Sequence, residues 1–163
     1  MDTRSEIDGA QLRTLLDRAA ILDALAWFCE RLDAGDVSAA LEIFTEGCFS
    51  DYGPAAGGRL EGRPAFVERV RKSQARFRQT HHQLGQVSIE LNAAERTARS
   101  IAYVTAAHRR LDGSRWDVRL QYHDDWTLIG DDWRITGRRA LTALADPDDE
   151  AGKNWVPRRM PPA

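Results

Sequence analysis

The chain lacks most of what would take it out of solution or tie it to a cofactor. No stretch reaches the roughly 18 uninterrupted apolar residues that a membrane-spanning helix needs, and Met1 to Asp8 mix Asp, Arg and Glu instead of forming the apolar run of a secretory signal. These absences predict a soluble, cytoplasmic protein with no membrane partner. Surplus positive charge is missing too. The 23 Lys and Arg residues face 25 Asp and Glu, a formal net charge of −2, which leaves no excess cation to neutralise a phosphate backbone and argues against nucleic acid. The two cysteines, Cys29 and Cys48, have no CxxC or ligand-like spacing, so free thiols in small core positions are expected. Four histidines, His81, His82, His108 and His123, form neither HExxH nor His-x-His, and no metal is expected.

At 163 residues the chain suits one domain, read as residues 1–145 followed by a tail over 146–163 rich in Pro and Asp. Its first half has helical periodicity. Ile21, Leu22, Leu25, Phe28, Cys29 and Leu32 lie on one face of a helix running from about Asp17 to Leu32. Gly35 permits a left-handed turn, and Asp36 caps a second helix bearing Val37, Ala40, Leu41 and Phe44. Tyr52 to Gly58 read as a surface loop. Pro64 opens a third helix carrying Phe66, Val67, Val70 and Phe77, with a solvated basic face of Arg69, Arg71, Lys72 and Arg76. In the second half the period becomes two. Val87, Ile89 and Leu91 mark one strand, Ala98 to His108 a second, Trp116 to Ile129 a third and Trp133 to about Leu144 a fourth, with Asp112-Gly113 as a tight hairpin. Helices followed by an antiparallel meander predict an α+β domain, its curved antiparallel sheet wrapped around the N-terminal helices.

Strand parity then groups the side chains. Trp116, Val118, Leu120 and Tyr122 share a face that must point inward, and Ala102, Val104, Ala106 and His108 share one on the preceding strand. Large residues opposite small ones leave room for a ligand or pack as an ordinary core; parity allows both.

The stretches DRAAILDALAWFCERLDAGDVSAALEIFTEGCFSDYG, THHQLGQVSIEL, AYVTAAH and WTLIGDDWRITGRR span most of residues 17–139. With an Asp before a Gly-Asp turn and a His-x-x-Gly segment on the first long strand, the chain resembles the SnoaL-like division of the NTF2-like superfamily. Within it, the resemblance is to the branch of scytalone dehydratase, bile acid 7α-dehydratase and lindane dehydrochlorinase. This implies a cone-shaped α+β barrel, a homodimer or homotrimer, and a cofactor-independent lyase or isomerase. By the same resemblance Asp33 and His82 are the catalytic dyad, and Tyr52 and His108 match further catalytic positions. Leu32, Tyr122 and Phe28 replace a tyrosine, an asparagine and a tyrosine of those relatives, which makes scytalone itself a poor candidate substrate. Phe28, Val104, Trp116, Val118, Leu120 and Tyr122 are then expected to form the substrate wall.

A carboxylate beside an imidazole fixes its tautomer and stabilises the imidazolium formed on proton uptake. In that arrangement His82 takes a proton next to a carbonyl and returns it to a departing hydroxyl or to another carbon, while Tyr52, His108 and Tyr122 offer hydrogen bonds to developing charge. The expected substrate is a small hydrophobic cyclic hydroxy-carbonyl compound, polyketide-like or steroid-like. Two other readings stay open at this point: a non-catalytic ligand-binding protein, or a structural small subunit of a ring-hydroxylating dioxygenase. His81 and His82, adjacent on a strand, must point to opposite faces, and which of them faces inward stays open.

Overall fold

In the computed structural model, residues 8–147 and 153–157 are described. Helix α1, Gly9–Asp33, starts earlier than its apolar stripe suggests, because Asp8 and Gln11 form a reciprocal capping box. Its inner face buries Ile21, Leu25, Phe28, Cys29 and Leu32. Gly35 ends it with φ 77°, and the Asp36 side chain accepts from Ala39 N, as expected of a left-handed turn followed by a cap. Helix α2 is only Val37–Ala40, followed by a single 3₁₀ turn over Leu41–Ile43. Phe44 therefore does not continue a helical stripe. It opens a strand that periodicity did not reveal, β1 (Phe44–Asp51), paired antiparallel with the short β2 (Arg59–Glu61). Helix α3, Arg63–Gln74, begins with Pro64 as predicted, but Phe77 lies beyond it, as the first residue of β3.

The meander itself is as read: β3 (Phe77–Asn92), β4 (Thr97–Arg110), β5 (Arg115–Ile129) and β6 (Asp132–Asp146), each antiparallel to the next. The sheet order is β2-β1-β6-β5-β4-β3, and β1 joins β6 in parallel, so the sheet is mixed. On β4 and β5 the inward rows are the predicted ones. Ala102, Val104, Ala106 and His108 are buried, as are Val118, Leu120 and Tyr122, and the row continues into Asp124 and Trp126. Cys29 and Cys48 are free and buried.

Two bulges set which side chains enter the barrel. In β3 the register slips between Leu84 and Val87, around Gly85, so His82 pairs with Ala106 while Val87 pairs with Ala102. An added residue in one strand turns the following side chains to the opposite parity. Even-numbered His82 and Leu84 thereby share the inner face with odd-numbered Val87, Ile89 and Leu91. In β6 the register slips between the pairs Asp125–Gly137 and Trp126–Ile135, which brings Arg138 inward opposite Asp124, although Trp133 and Ile135 point inward at odd positions.

The basic face of α3 is not simply solvated. Arg69 donates to Ser50 Oγ at 2.6 Å and to Gly58 O at 3.0 Å, and lies over the Tyr52 ring. Of the expected tail, residues 153–157 run along β6: Thr142 N donates to Asn154 O, and Asn154 Nδ2 donates to Asp51 Oδ1. Residues 148–152 and 158–163 of that tail lie outside the described residues. Among the described residues no helix is long and apolar enough to cross a membrane.

Candidate active site

Asp33 is the last residue of α1, delivered to the open end of the barrel where β3 passes. Its carboxylate gathers three donors from that strand. Thr80 Oγ1 donates to Oδ1 at 2.8 Å, the His82 backbone N donates to Oδ2 at 2.7 Å, and His82 Nδ1 lies 2.7 Å from Oδ1. Partial burial disfavours the charge, yet these bonds from His82 and Thr80 hold the Asp33 carboxyl down at about 2, so it is ionised near neutrality. The His82 side chain is 6% exposed, whereas that of His81 is 76% exposed and stands 3.8 Å from Asp33 Oδ2. The inward histidine is His82.

Thr80 pairs with His108, and His82 with Ala106, so His108 is the diagonal neighbour of His82 on the same face. Ala106 is too small to separate them, and the two imidazoles meet edge to face with centroids 5.6 Å apart. His108 Nδ1 is 2.8 Å from the Trp116 carbonyl oxygen. Burial pushes His108 down to about 4, with the Trp116 bond opposing and His82 adding to the fall, so its ring is neutral at pH 7. Phe77 and Trp116 flank it, stacked within 2° of parallel at 5.9 Å.

A cleft of about 520 Å³ opens here. Asp33, Thr80 and His108 line it from the inner side, and Gln79, His81, Arg109, Arg115 and Asp117 from the lip of the sheet. It is more polar than the apolar pocket the sequence suggested, because the strand ends at this lip carry charged residues. Val104, Val118, Leu120, Phe28 and Tyr122 do not line it. They are buried in the core, and Trp116 packs against that core beside His108 without lining the cleft; His82 does not line it either and adjoins it through Asp33 and His108.

Tyr52 is not brought to the dyad. It lies deeper, its ring 5.7 Å from Phe66 and 6.2 Å from Tyr122. The centre of that deep end is a residue the sequence reading missed. Arg138, fully buried, donates through Nε and Nη2 to Asp124 Oδ1 and Oδ2 at 2.7 Å each. Its guanidinium sits 4.0 Å from the Tyr122 ring centroid and 4.4 Å from that of Phe28. Burial works against the charge on both partners; facing Asp124, Arg138 stays firmly protonated. Among the described residues Arg138 Nη1 is buried with no hydrogen-bond partner. Burial raises the phenols of Tyr52 and Tyr122 above their ordinary values, so both remain protonated. The deep end thus brings the Arg138 guanidinium together with the phenols of Tyr52 and Tyr122. Among the described residues no three His, Cys, Asp or Glu side chains gather closely enough to hold a metal ion.

Solved structures share this architecture. A protein of Novosphingobium aromaticivorans, provisionally assigned as a scytalone dehydratase, superposes with a TM-score of 0.82 at 22% identity, covering 90% of this chain and 97% of that one. The hexachlorocyclohexane dehydrochlorinase LinA-type3 of Novosphingobium barchaimii gives 0.73 at 16% identity, covering 90% and 99%. The Kfla4162 protein of Kribbella flavida gives 0.73 at 20% identity, covering 81% and 94%. At these identities the likeness is one of fold. No curated protein matches the chain in sequence. The SnoaL-like domain model, however, matches residues 13–139, most of the barrel and all of the site just described, and the chain therefore belongs to the SnoaL-like domain family.

Proposed function

We propose that this protein is a cofactor-independent lyase or isomerase acting on a small hydrophobic cyclic hydroxy-carbonyl compound, with His82 as general base and Asp33 as the group that orients it. One observation carries the reading: the 2.7 Å contact between His82 Nδ1 and an Asp33 carboxylate that also receives Thr80 and a backbone N–H. An ionised acceptor on Nδ1 puts the proton there and leaves the Nε2 lone pair free to take a proton. The dehydratase and dehydrochlorinase among the fold neighbours are in keeping with elimination chemistry.

In the dehydration form, His82 Nε2 removes a proton from the carbon next to the carbonyl, and the C–H electron pair becomes an enolate. The enolate re-forms the carbonyl as a carbon–carbon double bond develops and the β-hydroxyl departs, taking the proton from the His82 imidazolium and leaving as water. Isomerisation uses the same first step and returns the proton to another carbon. Arg138 Nη1, with the Tyr52 and Tyr122 hydroxyls, supplies positive potential at the deep end where enolate oxygen charge would gather; one such donor in a dry site is worth about 3 kcal/mol. His108 does not fit the donor role the sequence suggested. Its Nδ1 proton is committed to Trp116, so it presents a lone pair, suited to accept from a substrate hydroxyl.

The test is a panel of cyclic β-hydroxyketones followed by enone absorbance. Turnover by the native protein that is lost in His82→Ala, with ligand affinity kept, supports the assignment. Binding without turnover across the panel, or full turnover by His82→Ala, overturns it.

A further inference from the structure

The lip of the cleft carries a charge pattern that the dyad does not account for. Arg109 and Arg115 are direct partners across β4 and β5, Gln79 is the partner of Arg109 across β3 and β4, and Arg78 is next to Gln79. Like charges placed opposite each other on a sheet destabilise it. Here this occurs in a chain whose formal net charge is −2. The two carboxylates in the lining are already engaged: Asp117 with Arg115 at 2.6 Å, and Asp33 with His82 and Thr80. Among the described residues Arg109 reaches only the Gly113 carbonyl, at 3.0 Å, and both Arg78 and Arg109 are exposed. The cleft therefore presents two guanidinium groups with no carboxylate left among the described residues to meet them, and it is lined as well by His108, whose ring Phe77 and Trp116 flank and which meets the His82 ring.

We infer that the substrate carries an anionic group, held by Arg78 and Arg109 at the lip, on an apolar body that passes the Phe77–Trp116 rings to reach His82. The inference rests on the catalytic reading of the Asp33–His82 mouth and narrows it to anionic substrates. The anion is either the substrate's own carboxylate or the phosphates of a coenzyme A thioester; both match a guanidinium pair, and a chain long enough to leave the barrel would place either there.

The experiment compares equilibrium binding of 2-naphthoate, methyl 2-naphthoate and 2-naphthoyl coenzyme A to the native protein and to Arg78→Gln/Arg109→Gln. At low salt an anionic probe binds about tenfold or more tighter than the neutral ester, and the gap closes in the double variant and on raising salt to about half-molar. Preference for naphthoate identifies a substrate carboxylate; preference only for the thioester identifies the phosphates. Equal binding of all three probes, or a preference that survives both the double substitution and salt, overturns the inference. Because salt dependence is read on the native protein, the result does not rest on the variant folding. His82→Ala keeps the preference, so failure of the catalytic reading and failure of the anion site are read separately.

Discussion

His82 and His108 meet at 87°, and each ring commits its Nδ1 to an acceptor that has no proton to give: the Asp33 carboxylate for one, the Trp116 carbonyl for the other. Both rings therefore carry a proton on Nδ1, and in the neutral form of each the bare nitrogen is Nε2. Long-range ¹⁵N–¹H NMR at neutral pH should show this pattern for both. An Nε2–H tautomer at His82 contradicts its role as base.

Replacing the orienting carboxylate tests the same contact chemically. In Asp33→Asn the acceptor charge is lost, and turnover falls by roughly 10² to 10⁴ while probe affinity changes little. Steady-state kinetics on any substrate found by the hydroxyketone panel reads this directly.

Acid stability should fall in two windows. The folded state holds His108 at about 4 against an ordinary 6.5, so between those values the unfolded chain binds the extra proton; the stabilisation is complete above 6.5 and is lost as pH falls toward 4. A depression of that size amounts to on the order of 3 kcal/mol for a group this buried. Asp33, at about 2 against 3.8, adds a second loss between pH 3.8 and 2. Urea melts across this range should show both, and His108→Gln should flatten only the upper window.

The buried pair of Arg138 and Asp124 should be costly to break from one side. Arg138→Met leaves Asp124 without its partner in an enclosed space and destabilises by about 3–5 kcal/mol, while Asp124→Asn combined with Arg138→Met recovers much of the loss. Denaturant midpoints of the two variants and their combination form the cycle that measures this.

Gly137 tests the strand pairing that periodicity missed. It is the partner of Phe49 between β6 and β1, and a Cβ there would overlap the Phe49 ring. Gly137→Ala should cost about 1–3 kcal/mol through overpacking, with the parallel β1–β6 seam the first to lose amide protection in hydrogen exchange.

What the sequence revealed followed from regular periods, and what it hid followed from their interruptions. The rows on β4 and β5 run uninterrupted from Ala98 to His108 and from Trp116 to Trp126, so parity placed Val104, His108 and Tyr122 inward without ambiguity. On β3, parity counted back from Val87 and Ile89 puts His81 inward; the slip around Gly85 reverses this and turns His82 to Asp33. Resemblance, not periodicity, had pointed to His82. The same effect concealed Arg138, because counting from Trp133 and Ile135 points it outward, and only the slip before Gly137 places it against Asp124. Strand β1 was hidden for another reason. Its buried positions, Phe44, Cys48 and Ser50, are interrupted by exposed Glu46 and Gly47, so neither period persists.

The most direct test of the central claim is solvent deuterium exchange at the carbon next to the carbonyl of bound 2-tetralone, a ketone with no hydroxyl to lose, followed by ¹H NMR. A general base at His82 predicts exchange accelerated over buffer in the native protein and reduced to the buffer rate in His82→Ala, with 2-tetralone still bound. Exchange at the buffer rate by native protein that has bound the ketone would contradict it.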